Sequence, residues 1–161
     1  MTESNKHEVV ITAIVEKDGK YLITRRSANK KRFPGMWTVP GGKLEVSDYS
    51  GGPKDTKDYW YNVLEKTLAR EVKEEVGLEI KDIDYLTSFA TVHADGSPSI
   101  GISCLAKYVG GEVTLQTEEA DAHAWVTTDE ARGYSLLDGI IEELVQADNL
   151  RAGRRTEWRR E

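Results

Sequence analysis

Leu64-Glu65-Lys66-Thr67-Leu68-Ala69-Arg70-Glu71-Val72-Lys73-Glu74-Glu75-Val76-Gly77-Leu78 decides how the rest of the chain is read. Leu64, Leu68, Val72 and Val76 recur every fourth residue, which predicts a helix with one apolar stripe. Glu71, Glu74 and Glu75 stand three and four residues apart, so on that helix their carboxylates share a face beside the stripe. Like charges at this spacing repel by about 0.3 kcal/mol per pair, and a hard cation would offset them. A set of oxygen ligands favours Mg²⁺ or Mn²⁺ over zinc. Gly77 follows where a left-handed residue is wanted to end the helix. Taken alone, three glutamates on a helix are equally well a solvated face, and the surrounding sequence separates the two readings.

Composition narrows the field. A chain of 161 residues is expected to form one domain over 1–161, large enough to bury a core without staples. Its net charge of −6 argues against a nucleic-acid partner, because phosphate backbones call for a basic surface. An acidic protein that handles phosphates must do so locally, with a metal or a few arginines. The one cysteine, Cys104, cannot form an internal disulfide and sits in an apolar run, as a buried structural thiol does. No run approaches the ~20 apolar residues of a membrane span, and Met1-Thr2-Glu3-Ser4 lacks the basic start and apolar middle of a signal peptide. The expectation is a cytoplasmic protein with no membrane partner.

Upstream, Glu8 to Glu16 is rich in Val and Ile, and Asp18-Gly19 turns the chain into Lys20-Tyr21-Leu22-Ile23-Thr24-Arg25-Arg26, which predicts a hairpin. Arg25 and Arg26 point to opposite faces, so at most one can reach a given site. In Phe33-Pro34-Gly35-Met36-Trp37-Thr38-Val39-Pro40-Gly41-Gly42-Lys43-Leu44-Glu45 the paired glycines after Pro40 let the backbone turn and approach a ligand with no Cβ in the way.

Arg70-Glu71-Val72-Lys73-Glu74-Glu75-Val76-Gly77-Leu78 resembles the second half of the Nudix box at every specified position, and Trp37 with Pro40-Gly41-Gly42-Lys43-Leu44-Glu45 resembles its entry. The resemblance implies an α/β (α+β) fold, a Nudix-type α/β/α sandwich with a mixed sheet. It also implies a Mg²⁺-dependent hydrolase, Mn²⁺ being the other candidate ion, that cleaves a nucleoside diphosphate linked to another moiety, with a nucleoside triphosphate as the default. A domain that binds a nucleotide or metabolite without catalysis is the competing reading, and the intact glutamates weigh against it. The resemblance assigns Glu71, Glu74, Glu75 and the carbonyl of Gly41 to the metal. It gives Arg70 the task of orienting Glu71 or Glu75, and places Arg26, Gly42 and Lys43 at the substrate.

One departure from the box is plain. Gly42 and Arg70 are separated by fourteen residues more than the pattern allows. Residues 46–59, with Gly51-Gly52-Pro53 and several charges, read as a mobile, substrate-facing loop with no element of its own. Counted back from Arg70, the first glutamate of the box falls on Asn62, and Glu45 or Glu65 is expected to take its bracing role. Tyr59, Trp60 and Tyr61 are expected to start the helix, either packing in the core or offering a ring, Trp60, to a substrate base.

Beyond Gly77, Leu78 to Val92 reads as one long or two short strands, and Ser99 to Val109 runs back after the turn at Ala94-Asp95-Gly96-Ser97-Pro98. Gly110-Gly111 leads into Glu112-Val113-Thr114-Leu115, and Asp121 to Val126 is a last short strand. A helix start near Thr128 comes next, with Leu136, Leu137, Ile140, Ile141, Leu144 and Val145 at helical spacing. His7, His93 and His123 are scattered without zinc spacing. The basic tail, residues 150–161, is expected to fray or to pack on a partner in a homodimer. Glutamates bound to a cation are poor bases, since its charge lowers their pKa. A carboxylate outside the helix is therefore expected to take the proton from water: Glu119, placed ahead of Trp125 as in relatives, with Glu71 as the fallback.

Overall fold

The computed structural model describes residues 5–161, so Met1 to Ser4 lie outside it. Its element order is β1 (Glu8–Lys17), β2 (Lys20–Arg26), β3 (Trp37–Thr38), β4 (Gly41–Lys43), α1 (Ser47–Ser50), α2 (Val63–Val76), β5 (Glu79–Val92), β6 (Pro98–Gly110), β7 (Ala120–Val126), α3 (Thr128–Ala131) and α4 (Ile140–Arg151). The strands form one seven-stranded sheet in which β3, β2, β1, β6 and β5 lie side by side. β4 pairs with the first half of β1 and β7 with β2. The β1–β6 pairing is parallel and the others antiparallel, so the sheet is mixed as expected.

Alternation along the central strands gives each face its own core. Ile11, Ala13, Val15, Leu22 and Cys104 point to one side, where Leu68, Val72 and Val76 of α2 cover them. Ile14, Tyr21, Ile23, Leu86 and Leu105 point to the other, under Ile140, Leu144 and Ala147 of α4. Every fourth residue of α2 is buried because its stripe lies on the sheet, and the glutamates stand at the margin of that contact. Gly77 ends α2 at φ 76°, its N–H donating to the Lys73 carbonyl.

Several expectations are corrected. The insertion is not a bare loop: Ser47–Ser50 forms a helical turn, and the segment behind it packs on itself. The Trp60 indole donates to the Gly52 carbonyl at 3.1 Å, its ring lies 5.3 Å from that of Tyr49, and the Lys54 ammonium sits over it. Tyr59 to Tyr61 therefore precede the helix, and Tyr59 and Tyr61 are exposed, not core. α2 starts one residue after Asn62, whose φ of 55° forces the turn into it.

Residues 112–115 form no strand. Thr114 and Gln116 instead donate backbone N–H groups to the carbonyls of Val76 and Glu75, satisfying the end of α2. Leu136 and Leu137 precede α4, which opens at Gly139 (φ 90°), yet both still pack on the core. The tail folds back on its own chain. Arg160 pairs with Asp138 and with buried Glu142 at 2.7 Å, Arg132 pairs with Glu161, and Trp158 donates to the Gly139 carbonyl. No helix among the described residues is long and apolar enough to cross a membrane.

Candidate active site

β4 is threaded so tightly between β1 and α2 that Gly41 admits no side chain and one at Gly42 would displace Glu71. A Cβ on Gly41 would strike the backbone carbonyl of Ile11, and one on Gly42 would stand 2.5 Å from the carboxyl carbon of Glu71. The same closeness lets the Gly41 N–H donate to Glu75 at 3.0 Å. Gly41-Gly42 form no sharp turn but an extended strand, and that strand meets the glutamate face of α2.

Arg70 gathers carboxylates along the outer side of the helix. It donates to Glu74 at 2.8 Å and to Glu71 at 3.1 Å, and its other partner is Asp48 of α1. Of the two carboxylates expected at Arg70, Glu71 is the one it holds, together with Glu74, while Glu75 accepts from Gly41. Asp48, almost fully buried, also accepts the Glu45 N–H at 2.7 Å. It does the bracing expected of Glu45 or Glu65, and neither of those side chains touches Arg70. Counting forward from Gly42 by the spacing of the box lands on Asp48. The extra residues therefore lie after it, and the backward count from Arg70 missed it.

Glu75 is the most perturbed group here. Burial pushes its carboxyl up to about 7; the Gly41 N–H opposes the shift, while the negative charges of Glu119 and Glu71 add to it. Glu71 is raised too, chiefly by burial, with Arg70 opposing. Glu119 comes to this place because its backbone is strapped there. Its N–H donates to the Gln116 carbonyl, and its own carbonyl accepts from Ser27. Its carboxylate binds Lys30 at 2.6 Å. Arg26, half-buried and lowered by desolvation, feels both Glu119 and Glu75 and donates to the Arg32 carbonyl at 2.9 Å. Lys30 was not legible from the sequence: it lies 89 residues from Glu119, and no spacing links them.

Two expected substrate residues are engaged elsewhere. Lys43 is paired with Glu8 at 2.9 Å, and Trp60 is committed to the packing of the insertion. Among the described residues no three acidic, imidazole or thiol groups already enclose an ion-sized space. The donor chemistry nevertheless fits a hard divalent cation: Glu75, Glu71 and Glu119 bring excess negative charge against the glycine backbone of β4.

The model of the NUDIX domain family matches residues 5–145. The chain belongs to the Nudix family. A CTP pyrophosphohydrolase of Escherichia coli (strain K12) is 30% identical over 145 residues, covering 90% of this chain and 94% of that protein. The solution structure of the E. coli ORF135 protein superposes with a TM-score of 0.63 at 28% identity, over 92% of this chain and 94% of the other. The crystal structure of a MutT NUDIX hydrolase from Burkholderia pseudomallei has a TM-score of 0.70 at 22% identity over 88% and 98%, and it confirms the fold. The chain is thus a Nudix diphosphate hydrolase, with its box split by an insertion that leaves the glutamate half untouched.

Proposed function

We propose that this Nudix hydrolase cleaves nucleoside triphosphates with Mg²⁺, or Mn²⁺ in its place, releasing a nucleoside monophosphate and pyrophosphate. The observation that carries this reading is buried Glu75, raised to about 7 beside Glu71 and Glu119 and held against the Gly41 N–H. Similarity to a CTP pyrophosphohydrolase and, at 23% identity, to a nucleoside triphosphatase of Klebsiella pneumoniae favours a triphosphate as substrate. Glu71, Glu74, Glu75 and the Gly41 carbonyl hold the ion, which when bound polarises phosphate oxygens and acidifies water.

The remaining roles fall to the chain's own groups. Gly42 keeps the approach to Glu71 open. Arg26 and Lys30 supply positive charge for the phosphates. A phosphate that draws off the Lys30 ammonium leaves Glu119 free to take the proton from the attacking water. The water oxygen bonds to phosphorus as the bridging P–O bond breaks, and the leaving oxygen departs with the electron pair. Arg70 and Asp48 act by position, fixing Glu71 and Glu74. A cytoplasmic setting fits a nucleotide substrate and the lone, buried Cys104.

The test is a panel of NTPs, dNTPs, nucleotide sugars, ADP-ribose and dinucleoside polyphosphates incubated with Mg²⁺ or EDTA. Mg²⁺-dependent release of monophosphate and pyrophosphate from at least one triphosphate is expected. Turnover confined to the other members would refute the triphosphate reading.

A further inference from the structure

Residues 27–36, between β2 and β3, form neither helix nor strand, yet both cations proposed for the phosphates depend on them. Lys30 lies within the loop. Arg26, at its start, is held from the far side: its N–H donates to the Met36 carbonyl at 2.8 Å, its carbonyl accepts from the Gly35 N–H at 3.0 Å, and its Nε donates to the Arg32 carbonyl at 2.9 Å. Ser27 and Lys30 tie the first half of the loop to Glu119. The second half does not hold itself. Phe33 stands at φ 50°, a conformation that a phenylalanine rarely adopts, and its ring is exposed. An anchor outside the loop is needed there, and the side chain of Arg32 is placed to provide it.

Arg32 Nη1 lies 3.1 Å from Nε2 of His93, in the turn after β5, and 3.5 Å from Glu8 Oε1 at the start of β1. The second distance is longer than a hydrogen bond, so His93 makes the closer contact. Nε2 of His93 is also 2.7 Å from Ser99 Oγ, which lies 3.2 Å from the same Glu8 oxygen, and Glu8 Oε2 is paired with Lys43 at 2.9 Å. The turn that carries His93 is itself closed: the His93 N–H donates to the Ser97 carbonyl at 2.9 Å, and the His93 carbonyl accepts from the Gly96 N–H at 2.8 Å. Arg32 thus fastens the loop to a fixed point on the far hairpin.

A guanidinium can only donate, so the 3.1 Å contact needs a lone pair on Nε2, with the imidazole proton on Nδ1. Arg32 is therefore held by neutral His93. A proton added at Nε2 reverses the contact. Two donors of like charge then face each other, while the new N–H finds Ser99 Oγ and the Ser99 hydroxyl turns its own proton to Glu8. Ser99 and Glu8 stay bonded in both states; only Arg32 loses its partner. The charges around the ring are Arg32 and, through Glu8, Lys43 on the positive side, and Glu8 and Asp95 on the negative side. Asp95 is tied to its own turn, accepting from the Ser97 N–H at 2.9 Å and the Ser97 hydroxyl at 2.6 Å.

We propose that Arg32 and His93 are positioning residues for the phosphate-binding cations: neutral His93 holds Arg32, Arg32 fixes the carbonyl that orients Arg26 and the loop that carries Lys30, and protonation of His93 releases both. Substrate binding therefore weakens as the pH falls through the range, about 5 to 8, in which an imidazole changes charge. The inference rests on the proposed triphosphate hydrolysis in taking Arg26 and Lys30 as phosphate ligands; the latch between Arg32 and His93 does not. KM is expected to move more than kcat, because the glutamates of α2 lie outside this set of bonds.

Two arms test this, with His93→Gln as the locked form, since its side-chain carbonyl accepts from Arg32 and does not titrate. In the first, KM and kcat for the triphosphate turned over fastest in the panel above are measured at saturating Mg²⁺ from about pH 8 down to about pH 5.5. Over that range the KM of the parent is expected to rise about fivefold more than that of His93→Gln, the scale of one lost hydrogen bond. Arg32→Ala is expected to show the raised KM at every pH. Comparison between proteins cancels the titration of the substrate and of Glu75. In the second arm, the amide resonances of Arg26, Ser27 and Gly35 are followed by NMR over the same range, with neither nucleotide nor metal present. They are expected to shift together with the His93 ring in the parent, and to lose that component in His93→Gln and Arg32→Ala. Equal KM profiles for parent and His93→Gln overturn the proposal, as does a His93 ring that titrates while the three amides follow one course in all three proteins. Should no triphosphate be hydrolysed, the amides still decide the latch, so the two readings fail separately.

Discussion

Glu75 is a carboxylate placed where the charged form is costly. Its pKa rises from the ordinary 4.5 to about 7 in the folded chain, so the fold binds its proton more tightly than the unfolded state does. The resulting stability is complete below about pH 4.5 and is lost as the pH climbs through about 7. Without divalent metal, the parent is expected to lose melting temperature relative to Glu75→Gln between about pH 5 and about pH 8, and Mg²⁺ to restore it. Parallel curves for the two proteins would show that Glu75 is not perturbed. Asp48 gives a second expectation at this scale. Asp48→Ala frees the Arg70 fork that holds Glu71 and Glu74, and should lower kcat and weaken Mn²⁺ binding, with Asp48→Glu recovering both in part. An unchanged Mn²⁺ titration would make Asp48 merely a surface partner. Glu71, Glu74, Glu75, Gly41 and Gly42 were legible because helical spacing and missing side chains are local facts. Lys30 was not, because it meets Glu119 across 89 residues and only in the fold.

At the scale of elements, the insertion divides into two parts with different tasks. By sequence all of 46–59 read as one mobile, substrate-facing loop, but α1 carries Asp48, and only the residues after α1 form the self-packed part, closed by Trp60 on Tyr49 and Gly52. Replacing residues 50–60 by a short Gly/Ser link while keeping Asp48 is expected to leave the melting temperature nearly unchanged and to alter KM. Extending the deletion through Asp48 is expected to lower kcat as well. Equal kcat losses from both deletions would mean that the whole segment braces the site. The tail shows the same limit of local reading. Its arginines looked like unattached charge, yet Arg160 reaches back 18 residues to a buried carboxylate, Glu142. Truncation after Gly153 is expected to lower the melting temperature, because a buried carboxylate loses its partner. The apolar period of α4 was legible, whereas its start was displaced to Ile140 because the left-handed Gly139 breaks the run.

The whole molecule is a mixed sheet with a helix layer on each face. One face carries α2 and its carboxylates; the other carries α4. The sandwich was legible from the order of strands and helices, since a sheet with apolar residues on both faces needs a helix layer on each. The pairing of Gly41-Gly42-Lys43 as β4 was not, because it depends on the stretch of β1 that β2 leaves vacant. The proposed function centres diphosphate hydrolysis on Glu75. The most direct test is turnover of the best triphosphate by parent and Glu75→Gln at saturating Mg²⁺, with circular dichroism to confirm the fold. Loss of the hardest-held carboxylate should cost ~3–4 kcal/mol of transition-state stabilisation, a fall in kcat of at least about a hundredfold. A folded Glu75→Gln protein that keeps kcat within about threefold of the parent would contradict it.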